Sequence, residues 1–300
     1  MITHPNVKLN FGLNVLRKRE DGFHDLETLF VPYFGICDTL EIISGDDFSR
    51  TSALLAAKYG NLSDDEAAPS LVQAISDDGK LMVTIAKEDG VGWNPLNDLC
   101  AKAYFLLDKE YGLPPAKIFL EKTSPVGAGL GGGSSDAAFA LKMLDSLFGL
   151  GLADEKLAEY AALLGSDCAF FIYNRPMIGE GRGEILTPYC ISGIGLGEES
   201  GQSGELPVLY EVKVIVPEGI SVSTADAYRG ITPQMPEIPL RDVLSRPVSE
   251  WNGLLANDFE KTVFAKHPEL EAIKKSLYDS GAVYASMSGS GSALFAVYPV

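Results

Sequence analysis

Residues 125–138 read Pro-Val-Gly-Ala-Gly-Leu-Gly-Gly-Gly-Ser-Ser-Asp-Ala-Ala, and the fold hinges on what this stretch is for. Five glycines fall in seven positions, two hydroxyls follow, and helical patterning then begins abruptly. Ala137, Leu141, Leu144 and Phe148 keep the i, i+4, i+7, i+11 spacing of one buried helical face, and Gly149 stands where a helix closes in positive φ. A loop without Cβ atoms lets backbone N–H groups approach a ligand closely. At a helix N-terminus those groups and the macrodipole favour an anion, and Ser134 and Ser135 add hydroxyl donors there. Two glycines would make an ordinary capped turn; this density points to a phosphate site.

Gly127, Gly129 and Gly132 also fit Gly-x-Gly-x-x-Gly, but a dinucleotide fold needs a strand after the helix. Here Asp154 opens a second helix, with Leu157, Ala161 and Leu164 on one face. No Gly-x-x-x-x-Gly-Lys-Ser/Thr occurs, so the stretch is not a Walker loop. A dinucleotide-dependent oxidoreductase and a non-catalytic nucleotide-binding module stand as the weaker alternatives.

Whole-chain properties narrow the classes. A length of 300 residues suits one large or two ordinary domains. A hydrophobic content of 46% with 22% charged residues is that of a globular chain. The net charge of −17 argues against a nucleic-acid partner, which requires a basic face. Cys37, Cys100, Cys168 and Cys190 form no Cys-x-x-Cys and read as reduced thiols of a cytoplasmic protein. His4, His24 and His267 have no metal-ligand spacing. No apolar run is long enough to span a membrane, and the N-terminus lacks a signal-peptide pattern.

Along the chain, residues 7–16 alternate as a half-buried strand whose polar face carries Lys8, Asn10, Gly12 and Asn14. Asp21-Gly22 marks a tight turn after the basic triplet 17–19, which suits either a solvated face or an anionic substrate. Phe23-His24 offers an aromatic face beside a polar group, fit for core packing or for stacking a base. Strands are predicted at 38–44, 80–87 and 116–123, with 45–79 a helix-containing surface insertion. Asn97-Asp98 caps a helix to Tyr111, closed by Gly112. After Gly165-Ser166-Asp167 an apolar strand is expected, with Asp167 at its lip. Gly179–Leu186 reads as a glycine-rich turn of no assigned chemistry, and 191–206 as a loop. A strand at 209–216, a short helix capped by Ser223 and carrying Tyr228, helices at 253–264 and 269–279, and strands at 282–287 and 292–298 complete the chain. Strands and helices do not alternate regularly, which favours an α+β fold.

The glycine stretch resembles the second motif of the GHMP kinases, the superfamily of galactokinase, homoserine kinase and mevalonate kinase. Lys8 and Asn10 match its first motif, and Ser288-Gly289-Ser290-Gly291-Ser292 its third, which packs beside the phosphate loop. The triple glycine followed by Ser-Ser-Asp narrows the resemblance to a branch acting on a cytidine-diphosphate-linked substrate. The resemblance implies an N-terminal ATP-binding domain, 1–165, and a ferredoxin-like C-terminal domain, 166–300, with the active site between them. ATP is the implied co-substrate, on Pro125, Gly127, Ala128, Gly129, Leu130, Gly131, Gly132, Gly133, Ser134 and Ser135. Asp98 lies near where the family has an adenine-side asparagine. Mg²⁺ is expected, with no ligands assigned. Asp167 matches the family's catalytic aspartate in Gly-x-Asp, and Lys8 its catalytic lysine. Asn10, Phe23, His24, Tyr228, Gly289 and Ser290 fall at substrate positions, Phe23 and Tyr228 sandwiching the cytosine. The implied reaction phosphorylates the 2-hydroxyl of a cytidine-diphosphate-linked methylerythritol in non-mevalonate isoprenoid biosynthesis. The implied enzyme is cytoplasmic, a monomer or weak homodimer, without nucleic-acid or membrane partners. A homoserine or mevalonate type of kinase is the first alternative, and it has no base to stack.

Overall fold

The glycine stretch leaves a strand at Lys122 and enters a long helix at Gly132. A computed structural model describes residues 1–47, 49, 51–60, 69–197 and 208–300. These form two units. The first takes Met1–Asn6, Ile36–Ser124 and Gly132–Tyr173; the second takes Val7–Gly35, Pro125–Gly131 and Asn174–Val300.

In the first unit a five-stranded sheet runs in the order β1 (Ile2–Thr3), β4 (Thr39–Ser44), β7 (Ala116–Lys122), β6 (Leu81–Lys87), β5 (Leu71–Ile75). Its neighbours are antiparallel except β6 and β7. Five helices accompany it: α1 (Thr51–Tyr59), α2 (Leu99–Tyr111), α3 (Gly132–Phe148), α4 (Asp154–Leu164) and α5 (Cys168–Tyr173). Asp98 caps α2 by accepting from Cys100 N, and Gly112 closes it at φ +63°, as the sequence predicts. On α3 the face Ala137, Leu141, Leu144 is buried.

Two expectations for this unit are corrected. The insertion 45–79 does hold a helix, α1, but Leu71–Ile75 is also a strand, paired from Leu71 with Ala86 to Ile75 with Met82. Leu55 of α1 and Leu71 pack with Ile43, Ala86 and Phe119, so the described part of the insertion joins the core. The segment after Asp167 is not a strand but α5. Cys168–Ile172 is apolar at every position and buried throughout, and so short a run has no periodicity to separate strand from helix.

The second unit holds two four-stranded sheets. One runs β2 (Asn6–Lys18), β3 (His24–Cys37), β8 (Met177–Gly181), β9 (Ile185–Pro188). The other runs β10 (Ile194–Gly195), β11 (Tyr210–Ile215), β13 (Leu294–Pro299), β12 (Tyr284–Met287), with helices α6 (Thr224–Arg229), α7 (Leu240–Leu244), α8 (Phe259–Lys266) and α9 (Pro268–Asp279). The expected loop 191–206 contains β10; residues 198–206 lie outside the described residues. Phe11 of β2 packs on Phe295 at 4.7 Å and on Trp251 and Tyr284, seating the strand in an aromatic core. The polar face of β2 is not solvated. Lys8 and Asn10 are as buried as Leu9 and Phe11.

A buried charge cluster organises the first unit. The Lys122 ammonium, at the end of β7, donates to Asp38, Ser124 and, at 2.7 Å, Asp136 of α3. Asp38 also accepts from Thr123 N and Ser124 N, each at 2.7 Å, and from Ser124 Oγ at 2.6 Å. Burial opposes ionisation of Asp38, but the Lys122 charge and these donors hold its carboxyl below the usual range. Burial instead pushes Asp136 well above that range, since Lys122 offsets it only in part and Asp38 adds repulsion. Burial also works against the Lys122 charge, and the two carboxylates outweigh it and raise its pKa.

The two carboxylates are therefore not equivalent. Asp38→Asn sets an amide N–H against donors and leaves Lys122 undercompensated, and should cost about 3–5 kcal/mol. Asp136→Asn keeps an acceptor for Lys122 and should cost less than Asp38→Asn. Urea unfolding of both variants checks this; equal losses would mean both carboxylates are ionised.

Candidate active site

In the second unit, the glycine loop and the 288–292 loop lie against each other. Ala293 N donates to Ala128 O at 3.0 Å, and Ser288 Oγ donates to Gly129 O at 3.1 Å. A Cβ on Gly129 would stand 2.1 Å from Ser288 O, and Gly129 is at φ +76°, so only glycine fits there. Gly127, at φ +72°, faces open space within 4 Å of its missing Cβ. Asn257 holds the partner loop by donating to Met287 O and Gly289 O at 2.7 and 2.8 Å.

Lys8 reaches this junction from β2. Its Nζ donates to Gly129 O at 2.9 Å and to Asn10 Oδ1, and lies 5.6 Å above the Phe30 ring. Asn10 Nδ2 in turn donates to Thr28 Oγ1 at 3.1 Å, and Thr28 Oγ1 donates to Gly12 O. The ammonium is thus buried, with a carbonyl and an amide among its acceptors. A Cβ on Gly289 would lie 3.3 Å from Lys8 Nζ. Ser290 Oγ meets Thr224 Oγ1 at 3.0 Å, which links the loop to α6.

Tyr228 projects from α6 and stacks on His24, ring centroids 4.8 Å apart at 21°. Its edge contact with Phe259, at 4.7 Å, sets its orientation from the core side. Burial, and secondarily the Lys18 charge, holds His24 below its ordinary pKa, so the neutral ring can both donate and accept. Phe23 is exposed, with the Arg182 guanidinium 5.1 Å from its centroid. In the basic triplet, Arg17 and Arg19 are both paired with Asp25, which leaves Lys18 as the segment's cation outside those pairs.

Asp167 sits in the first unit, half-buried in the turn that enters α5. That turn lies beside the first turn of α3, for a Cβ on Gly165 would be 3.9 Å from Ser134 Oγ and 3.2 Å from Cys168 Sγ. Among the described residues, Ser135 Oγ is buried without a hydrogen-bond partner. Asp98 uses one oxygen on Cys100 N and the other on Trp93 Nε1, at 2.9 and 3.1 Å. Ser288, Thr28 and Asn257 were not visible as site residues in the sequence, although Ser288 belongs to the serine–glycine loop itself. Among the described residues no group of three His, Cys, Asp or Glu could hold a metal ion, and no helix is long and apolar enough to cross a membrane.

This combination of fold and motif loops defines a class. The family models described as GHMP kinases N terminal domain and GHMP kinases C terminal match residues 98–175 and 242–299. A 4-diphosphocytidyl-2-C-methyl-D-erythritol kinase of Bacteroides fragilis is 43% identical, over 99% of this chain and 92% of its own. The enzyme of the same name from Parabacteroides distasonis is 37% identical over 99% and 92%. A crystal structure of 4-(cytidine 5'-diphospho)-2C-methyl-D-erythritol kinase superposes with a TM-score of 0.68 at 28% identity, covering 99% of this chain and 89% of that one. The homoserine kinase of Cytophaga hutchinsonii shares the fold at a TM-score of 0.57 and 18% identity, over 97% and 84%. The chain belongs to the GHMP kinases and, within them, to the 4-diphosphocytidyl-2-C-methyl-D-erythritol kinase family. It is a small-molecule kinase.

The junction yields a comparison of two glycines. Gly129→Ala should lose about 1–3 kcal/mol through positive φ alone, and more through the Ser288 carbonyl. Gly133→Ala, on the exposed side of α3 with only Leu99 Cδ1 at 3.9 Å, should be neutral or stabilise by up to about 1 kcal/mol. Thermal unfolding distinguishes them, and equal behaviour would sink the packing argument.

Proposed function

We propose that the chain transfers the γ-phosphoryl group of ATP to the 2-hydroxyl of 4-diphosphocytidyl-2-C-methyl-D-erythritol, a step of non-mevalonate isoprenoid synthesis in the cytoplasm. The observation that carries this reading is the meeting of His24 and Tyr228, far apart in sequence, in a chain whose relatives bear that substrate's name. Homoserine and mevalonate have no base for these rings. Phe23 and Tyr228 offer the cytosine its stacking faces and neutral His24 reads its edge. Cys37, Cys100, Cys168 and Cys190 form no disulfide among the described residues, which suits a reducing compartment.

The nucleotide's phosphates take the stretch from Pro125 to Ser135, where glycines expose backbone N–H groups and α3 presents its N-terminus. Magnesium fits this donor set, because it binds mainly through phosphate oxygens and water with one or two protein oxygens. The Ser135 hydroxyl, lacking a partner among the described residues, would hold it, and the ion would supply charge neutralisation on the phosphates. Phosphoryl transfer through a loose transition state demands positioning more than a strong base. As the new O–P bond forms, Asp167 accepts the proton of the 2-hydroxyl. Lys8 neutralises charge on the transferring group, its position fixed by Gly129 O and Asn10.

The test is ADP release with the cytidyl substrate, homoserine and mevalonate in turn. Turnover should require the first; turnover with either of the others at comparable kcat/KM would overturn the reading. Asp167→Asn should lower kcat by about 10²–10⁴ with ATP affinity retained. Lys8→Ala should cost a similar factor and the double variant little more, because the two act as a unit. Near-normal turnover in Asp167→Asn would place the base elsewhere. Tyr228→Ala should raise the substrate KM by about 5- to 150-fold, the worth of one stacked base.

A further inference from the structure

The glycine-rich segment Gly179–Leu186 carries no chemistry in the proposed reaction, yet the structure gives it a definite shape. It is the hairpin of β8 and β9, with Glu180 opposite Ile185 and Gly179 opposite Leu186. Gly181 at φ +68° and Gly183 at φ +104° make its tight end, closed by Gly183 N donating to Glu180 O. The hairpin lies along β3, where Gly181 stands opposite Leu26. Continuing that register one residue past the end of β8 sets Arg182 opposite Asp25, two residues from Phe23.

Arg182 is locked there. Its backbone N–H donates to Glu184 Oε2, and its Nε faces Glu184 Oε1 at 3.5 Å. The guanidinium rests 5.1 Å from the centre of the Phe23 ring. Phe23 is otherwise an unusual surface residue, a large apolar side chain that is 55% exposed. Its backbone is pinned on both sides: Phe23 N donates to Asp21 Oδ1, and Phe23 O accepts from Arg19 N. Backbone bonds do not fix χ angles, however, and an exposed ring with no cover samples several rotamers.

We propose that Arg182 is a positioning residue of the base pocket. Its guanidinium holds one face of Phe23, selects the ring's rotamer before substrate arrives, and leaves the opposite face for the cytosine. This rests on reading Phe23 and Tyr228 as the stacking pair. Glycines 181 and 183 and Glu184 then have a purpose, which is to aim Arg182. Preorganisation of this kind raises affinity by removing the ordering cost at binding, and does not touch the transferred group.

The experiment is calorimetry of cytidine diphosphate binding to the full chain, saturated with ADP, together with steady-state kinetics. Arg182→Ala should weaken cytidine diphosphate by about 2- to 5-fold, the worth of an exposed cation–π contact. The KM for the cytidyl substrate should rise by the same factor, with kcat and the KM for ATP unchanged. Arg182→Lys, which keeps a cation over the ring, should recover part of the loss. In a Phe23→Ala background, Arg182→Ala should have no further effect. A silent Arg182→Ala overturns the inference, as does an equal loss in the Phe23→Ala background, which would make Arg182 a direct attractor of the diphosphate. The pocket itself is judged separately. If Phe23→Ala and Tyr228→Ala weaken binding while Arg182→Ala does not, only the role of Arg182 fails. If none of the three alters binding, the stacking pair and the inference fall together.

Discussion

One buried ammonium sets the conditions for the rest. Lys122 ties the end of β7 to Asp38 at the head of β4 and to Asp136 near the start of α3. The glycine loop leaves at Ser124 and returns at Gly132, so this cluster closes both ends of the loop. A Cβ on Gly132 would sit 2.3 Å from Ser124 Oγ, which shows how tightly the two ends are drawn together. Fixing the ends of a short loop removes much of its conformational freedom before any ligand is present. The arrangement costs desolvation of three charged groups, and shifting Asp136 toward its neutral form relieves part of it.

The loop so held has a different task along its own length. Gly129 is the point where three elements meet: its carbonyl accepts from Lys8 and Ser288, and its missing Cβ is replaced by the Ser288 carbonyl. The first and third motifs therefore converge on the second through one residue. Lys8 is positioned there in part by that carbonyl and by the Asn10 amide.

On the proposed reading, substrate recognition is built from separate parts. The turn at Asp21-Gly22 presents Phe23 and His24, α6 presents Tyr228, and the β8–β9 hairpin presents Arg182. All four belong to the second unit, around the strands and helices that its core holds together. The aromatic rings come from a turn and a helix, and the cation beside Phe23 from a hairpin tip.

The sequence by itself determined the glycine loop, the helix after it, the caps at Asp98 and Gly112, and the family. Each of these is encoded locally, by glycine density, by i, i+4 spacing or by one capping side chain, so neighbours in sequence suffice to read it. It misread 168–172, where a short apolar run carries no periodicity, and it passed over Leu71–Ile75, whose partner strand supplies its register. Only the tertiary structure decided that the polar face of β2 is buried, because burial depends on what arrives from Gly129 and Ser288, far along the chain. The same holds for Lys122, which its neighbours Glu121 and Thr123 do nothing to single out. It becomes the anchor of the loop only when Asp38 and Asp136 are folded onto it. Electrostatic partners and stacking rings are relations across sequence distance, and no local pattern specifies them.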